Sequence, residues 1–136
     1  MNGYASVLIG AFLENTLRSK LIDAVHVFQG NILWAPDGLH LLQLHADPTL
    51  ALLVLDPLTT PQVPLTSIVP LLQRQDRCSL LVYTTFAPAS IHAVAWLGRH
   101  GLRDVVFAPY EDSRERFART LQRVIAQSHG EETIRE

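Results

Sequence analysis

The stretch Leu50-Ala51-Leu52-Leu53-Val54-Leu55-Asp56-Pro57 is a near-continuous apolar run closed by one carboxylate and a proline. A strand at the centre of a parallel sheet reads this way, because helices cover both of its faces and leave no polar side. A carboxylate where such a strand stops lies at the carboxyl edge of the sheet, which is where open α/β sheets hold their ligands. Asp56 is therefore the first residue to question for chemistry.

Outward from that run, apolar segments alternate with helical patterns. Ser6 to Phe12 reads as a first strand. Glu14-Asn15-Thr16 can open a helix through Leu17, Leu21 and Ile22, with Asn15 or Thr16 as its cap. Ala24 to Phe28 is the candidate second strand, and Gln29 to Trp34 a turn with a short extension. Asp37 can cap a helix holding Leu39, Leu41, Leu42 and Leu44, closed by Asp47-Pro48. After Asp56, Pro57, Pro61, Pro64 and Pro70 crowd one connection, which leaves room only for a short helix near Ile68 to Gln75. Ser79 to Thr85 is a fourth strand. Pro88 to Arg99 is a helix whose Ile91, Val94, Ala95 and Gly98 have the spacing of one buried face, stopped by Gly101. Asp104 to Ala108 is a fifth strand. Asp112 or Ser113 then caps a last helix with Phe117, Leu121 and Val124 inside. Five such alternations imply a parallel five-stranded sheet with right-handed crossovers and helices on both faces.

Composition narrows the function classes. The 136 residues are 48% hydrophobic, enough for one domain with its own core. A formal charge of -2 supplies no global basic field for nucleic acid or an anionic membrane. The one cysteine, Cys78, reads as a small buried hydrophobe and fits a reducing cytoplasm. Apolar runs break well short of the roughly 20 residues that span a bilayer, and no basic segment followed by an apolar one marks the N-terminus as a signal peptide. The six histidines, His26, His40, His45, His92, His100 and His129, include no pair at the i, i+4 spacing of a helical metal site. Phosphate-binding glycine loops, dinucleotide fingerprints and Gly-x-Ser-x-Gly elbows are absent. The expectation is no metal and no cofactor.

Three segments together resemble the receiver domains of bacterial response regulators: Leu52-Leu53-Val54-Leu55-Asp56 before a proline-bearing loop, Leu81-Val82-Tyr83-Thr84-Thr85, and Gly101-Leu102-Arg103-Asp104-Val105-Val106-Phe107-Ala108-Pro109-Tyr110. The last two are closer still to degenerate receiver-like domains that precede helix-turn-helix regulatory modules. The resemblance implies a flavodoxin-like three-layer α/β/α sandwich with strand order 2-1-3-4-5, spanning residues 1–128. Residues 129–136 then form a polar tail or the start of a linker. It also implies a cis peptide bond between Ala108 and Pro109.

A working receiver joins an aspartate nucleophile, an acidic pair that helps hold Mg²⁺, a lysine for the phosphoryl oxygens and a hydroxyl residue. Asp56 matches the acceptor, Thr84 the hydroxyl position and Pro109 the proline. The remaining positions depart from the pattern. Gly10, Ala11 and Phe12 stand where the acidic pair is expected, Ala108 replaces the lysine, and Val105 replaces the switch aromatic. Losing one electrostatic stabiliser costs about 10²–10³ in rate, and two kinds are missing here. The expected function is thus a non-catalytic pseudo-receiver, a regulatory domain of a bacterial transcription regulator; phosphorylation on Asp56 is the alternative. On this reading Asp56 accepts hydrogen bonds within its own loop.

The same resemblance implies a homodimer contact through the fourth helix, fifth strand and fifth helix. Trp96, Arg99, Arg116, Arg119 and Arg123 are the interface candidates, Trp and Arg being enriched at interface hot spots. Trp96 equally reads as a cover for a helix–helix boundary. Glu111, Asp112 and Glu115 offset much of the arginine charge on the last helix, which argues against direct nucleic-acid contact. A covalently linked DNA-binding module in a longer protein is the further partner expected.

Overall fold

The computed structural model describes residues 7–59 and 64–134. Ser6 and Pro61, the side chain of His129 and the last two residues, 135–136, lie outside the described residues. Five strands alternate with five helices: β1 (Leu8–Phe12), α1 (Asn15–Val27), β2 (Asn31–Trp34), α2 (Gly38–His45), β3 (Leu50–Leu55), α3 (Leu65–Leu72), β4 (Ser79–Thr85), α4 (Pro88–Arg99), β5 (Asp104–Ala108) and α5 (Arg114–Ile134). All strand pairs are parallel, in the order β2-β1-β3-β4-β5. This is the flavodoxin-like arrangement.

Every residue of β3 is buried. Successive side chains of a strand point to opposite faces, so the run feeds two cores. Leu52 and Val54 join the cluster under α1 and α5, with Leu21, Tyr83, Phe117 and Leu121. Leu53 and Leu55 join the cluster on the other face, with Leu41, Ile68, Leu80 and Leu97. Each such leucine contributes about 1.5–3 kcal/mol of burial. Gly10 in β1 lets that second layer come close, because a Cβ there would stand 2.8 Å from Leu53 Cδ2.

Four local expectations give way to packing. Ala24 to Phe28 is not the second strand: Ala24 and Val25 complete the helical stripe begun by Leu17 and Leu21, and α1 runs on to Val27. Val25 follows the buried face rather than its strand propensity, while Val27 ends the helix exposed. Gly30 and Gln29 donate to the carbonyls of Val25 (3.1 Å) and His26 (3.2 Å), closing the helix in a Schellman turn, with Gln29 in the left-handed region at φ 59°. The chain enters β2 only at Asn31. Secondly, neither Asn15 nor Thr16 caps α1. Glu14 holds that position without a side-chain cap bond, and the Thr16 hydroxyl donates to its carboxylate. Thirdly, α3 begins at Leu65 and carries Pro70 inside it, since burial of Ile68, Leu71 and Leu72 outweighs one missing backbone bond.

The fourth difference rotates α4. Ser90, Ala93 and Leu97 face inward, whereas Ile91 is 42% exposed and Ala95 and Gly98 are exposed. A polar residue, Ser90, turns to the interior because it meets Thr84 there. Gly101, at φ 107°, ends the helix as its sequence suggests, with Leu102 N–H on the Leu97 carbonyl at 3.1 Å. At the C-terminus, the stretch read as a polar tail from residue 129 has a helical backbone as far as Ile134. Helix can continue past its last buried stripe residue, since its backbone bonds are internal to the segment.

Candidate functional site

Strand β3 delivers Asp56 to the carboxyl edge one residue past its last paired position. The Asp56 N–H still bonds the Phe12 carbonyl at 3.2 Å, extending the β1–β3 ladder. The residue turns inward and is 5% exposed. Oδ1 accepts two hydrogen bonds, from the Thr84 hydroxyl at 2.8 Å and from the Leu58 N–H at 3.0 Å. The second is an Asx-type bond that folds the loop after the strand, reinforced by Thr59 N–H on the Asp56 carbonyl at 3.1 Å. Thr84 is fully buried at the end of β4, and Ser90 Oγ stands 3.3 Å from its hydroxyl. A polar thread thus runs from Asp56 through Thr84 to α4.

Burial pushes the Asp56 carboxyl above its ordinary value of 3.8. The Leu58 N–H and the Thr84 hydroxyl pull the other way, and the negative charge of Glu14 adds to the rise. Thr59 helps the carboxylate weakly, but its own buried hydroxyl has no well-formed hydrogen bond. Desolvation wins, so the site favours the neutral acid more than water does.

Sequence register misplaces one part of the site. Gly10 pairs with Leu53 and Ala11 with Val54, so both lie inside the sheet rather than beside Asp56. Phe12, paired with Leu55, and the following Leu13 are the true neighbours; they are 2% and 0% exposed. The chemical consequence stands, because neither carries an oxygen ligand. Glu14 is occupied at the start of α1 by Thr16. Ala108 pairs with Thr85 at the end of β5 and brings no charge, and the Ala108–Pro109 bond is cis. Among the described residues no three His, Cys, Asp or Glu side chains converge as a cation site. A hard divalent cation wants several oxygen ligands; one buried carboxylate bordered by Phe12 and Leu13 does not fit Mg²⁺.

Two features escaped sequence reasoning. Ser90 carried no signal, since its partner lies across the β4–α4 junction. Asp112 reads as a helix cap, yet it is 2% exposed and accepts the Tyr83 hydroxyl at 2.6 Å, with Lys20 Nζ at 4.0 Å. This clamp ties the start of α5 to β4 beneath the edge, and Tyr83 also packs on Phe117 with ring centroids 4.6 Å apart.

The interface candidates flank the open edge of β5. Trp96 packs partly against the second core cluster and stacks on His100, the C-cap of its own helix, with ring centroids 4.0 Å apart. Arg99, Arg116 and Arg119 are exposed, while Arg123 reaches Asp104 of β5 at 3.3 Å. No helix among the described residues is long and apolar enough to cross a membrane.

No family model matches the chain. A 52-residue stretch, 36% of the chain, is 42% identical to part of the glucose-6-phosphate isomerase of Prochlorococcus marinus (strain MIT 9211), and the match spans 10% of that protein. The crystal structure of a protein from Burkholderia pseudomallei K96243, described as pilus assembly-related, is similar over 93% of this chain and 96% of that one. Its TM-score is 0.65 and its sequence 20% identical. Sheet order and this likeness together show a flavodoxin-like domain with a receiver-like fold.

Proposed function

We propose that this chain is a non-catalytic pseudo-receiver, a regulatory module that works through protein contacts rather than through phosphoryl chemistry. One observation carries the reading: Asp56 is buried and its carboxylate already bonded to Thr84 and Leu58, beside the apolar Phe12 at the end of β1. A phosphoryl group there would add roughly -1.5 to -2 charge; among the described residues no three His, Cys, Asp or Glu side chains converge to hold a metal that would offset it, and Ala108 stands at the position expected for the lysine. The polar thread Asp56–Thr84–Ser90 retains a link between the edge and α4, the element that borders the proposed contact face. Output then passes through a homodimer across α4, β5 and α5, and through a linked DNA-binding module of a bacterial transcription regulator in the cytoplasm. Cys78, a buried free thiol that burial pushes up to about 11, is inert in such a compartment.

The test is a titration with beryllofluoride and Mg²⁺, a phosphoryl mimic, followed by amide chemical shifts. The pseudo-receiver shows no saturable shift around Asp56. Saturable shifts that vanish in Asp56→Asn would instead establish phosphorylation on Asp56, a reading favoured by the 2.8 Å contact with Thr84. For the dimer, light scattering should give a mass that Trp96→Ala or Arg119→Glu lowers; a strict monomer at high concentration would remove that part.

A further inference from the structure

At the opposite end of the sheet from Asp56, where β3 and β4 begin, His45, Asp47, Pro48, Leu50, Arg77 and Cys78 enclose a small cleft of about 10 Å³ with a mostly polar wall. That is room for one guest the size of a water molecule or a halide ion. Two turns hold the wall in place. After α2, the N–H groups of Ala46 and Asp47 bond the carbonyls of Gln43 and Leu44 at 3.1 and 3.0 Å, and the Leu50 N–H bonds the Asp47 carbonyl at 3.2 Å. After α3, the N–H groups of Arg77 and Cys78 share the Arg74 carbonyl at 3.0 and 3.1 Å.

His45, in the last turn of α2, is 8% exposed, and its buried Nε2 has no hydrogen-bond partner among the described residues. A polar nitrogen withdrawn from water calls for a partner, and the surrounding charge decides which kind. Burial, and after it the positive charges of Arg74 and Arg77, push the imidazole below its ordinary value of 6.5. Among the described residues neither arginine has a carboxylate within 4.0 Å, and the adjacent Asp76 pairs with Arg103 instead, at 3.6 Å. Asp47 is the acid in the wall, and its Oδ1 already accepts the N–H and the hydroxyl of Thr49 at 2.8 and 2.7 Å. The Cys78 thiol stays neutral. Water would satisfy Nε2 but leave two guanidinium charges without a counterion. A metal ion would be repelled by them, and no three ligating side chains converge among the described residues. A small anion meets both needs.

We propose that this cleft is a binding site for a chloride-sized anion, held by Nε2–H of a protonated His45 and by Arg77, with Arg74 adding charge. Anion and proton enter together, because a bound negative charge offsets the burial and the repulsion that keep the ring neutral. The full chain, with 15N-labelled histidine, is titrated with sodium chloride at constant ionic strength, the balance being sodium gluconate, whose anion is too large for the cleft. Saturable shifts of the His45 ring signals are expected with chloride and not with gluconate. The midpoint of the His45 titration rises with chloride, and chloride affinity increases as pH falls through that midpoint. Arg77→Gln weakens chloride binding about threefold to tenfold; Arg77 is exposed, so this variant keeps the fold. His45→Gln, which keeps a donor, removes the pH dependence of whatever binding remains. Equal shifts with gluconate, unchanged affinity in Arg77→Gln, or a His45 midpoint indifferent to chloride would overturn the site, the last by assigning Nε2 to water alone.

Discussion

Replacing Tyr83 with Phe removes one hydroxyl and leaves the Asp112 carboxylate buried without its shortest partner. The oxygen pair is 2.6 Å apart, and the two residues are 0% and 2% exposed, so water does not take over the lost bond. A hydrogen bond to a charged group is worth about 1.5–3 kcal/mol. Little compensates it. Lys20 stands at 4.0 Å and is half-exposed, which limits its contribution to roughly 0–1 kcal/mol. The aromatic ring stays, with its packing on Phe117, so no cavity cost is added. For a chain of this size the loss corresponds to a fall in Tm of about 5–10 °C. Urea unfolding followed by circular dichroism gives the free energy directly, and amide exchange should quicken first in α5, whose start the clamp holds. The double variant Tyr83→Phe/Asp112→Asn isolates the pair: removing the charge should recover part of the loss. A loss below about 0.5 kcal/mol for Tyr83→Phe, the range of ordinary surface substitutions, would refute the reasoning that this bond fastens α5 to the sheet.

Three further outcomes follow from the same geometry. Thr84→Val removes a buried donor from Asp56 and should cost about 1–3 kcal/mol at neutral pH, read by urea unfolding; a neutral result would mean that the 2.8 Å contact contributes nothing. Asp56→Asn tests the direction of the carboxyl shift: because the folded value lies above 3.8, the folded chain binds the proton more tightly and loses stability as pH rises through that window. The variant should therefore be more stable than the parent at pH 7, with a gain that shrinks as pH falls towards 3.8; a gain independent of pH would contradict the shift. Gln29→Gly relieves an exposed left-handed residue at the end of α1 and should stabilise by about 0.5–1 kcal/mol, visible as a raised Tm.

The raised carboxyl value of Asp56 means that its ionisation costs stability in the folded chain. Asp56 bonds its own loop, as a turn residue does, but the desolvation it suffers exceeds what Leu58 and Thr84 return.

By itself the sequence determined the layering. The apolar run of β3, the matching runs at β4 and β5 and the helical stripes between them are dictated by burial, and burial is written in residue type and period. The bounds of β4, α4 and β5 are legible because proline, glycine and charge punctuate them sharply. Strand order came only through the resemblance, since periodicity carries no information about which strands are neighbours. Tertiary structure decided everything that depends on register or on a partner distant in the chain. It set Phe12 and Leu13, not Gly10 and Ala11, beside Asp56, because one ladder position separates the edge from the interior. It gave Ala24 and Val25 to a helix, since the buried face of α1 outweighed their strand preference. It turned Ser90 inward to Thr84, made Asp112 a clamp rather than a cap, and gathered Phe86, Phe107, Tyr110 and Glu111 from the ends of β4 and β5 into one cavity. Side-chain pairs of this kind are 6 to 29 residues apart in the chain, and only the folded sheet brings them within bonding distance.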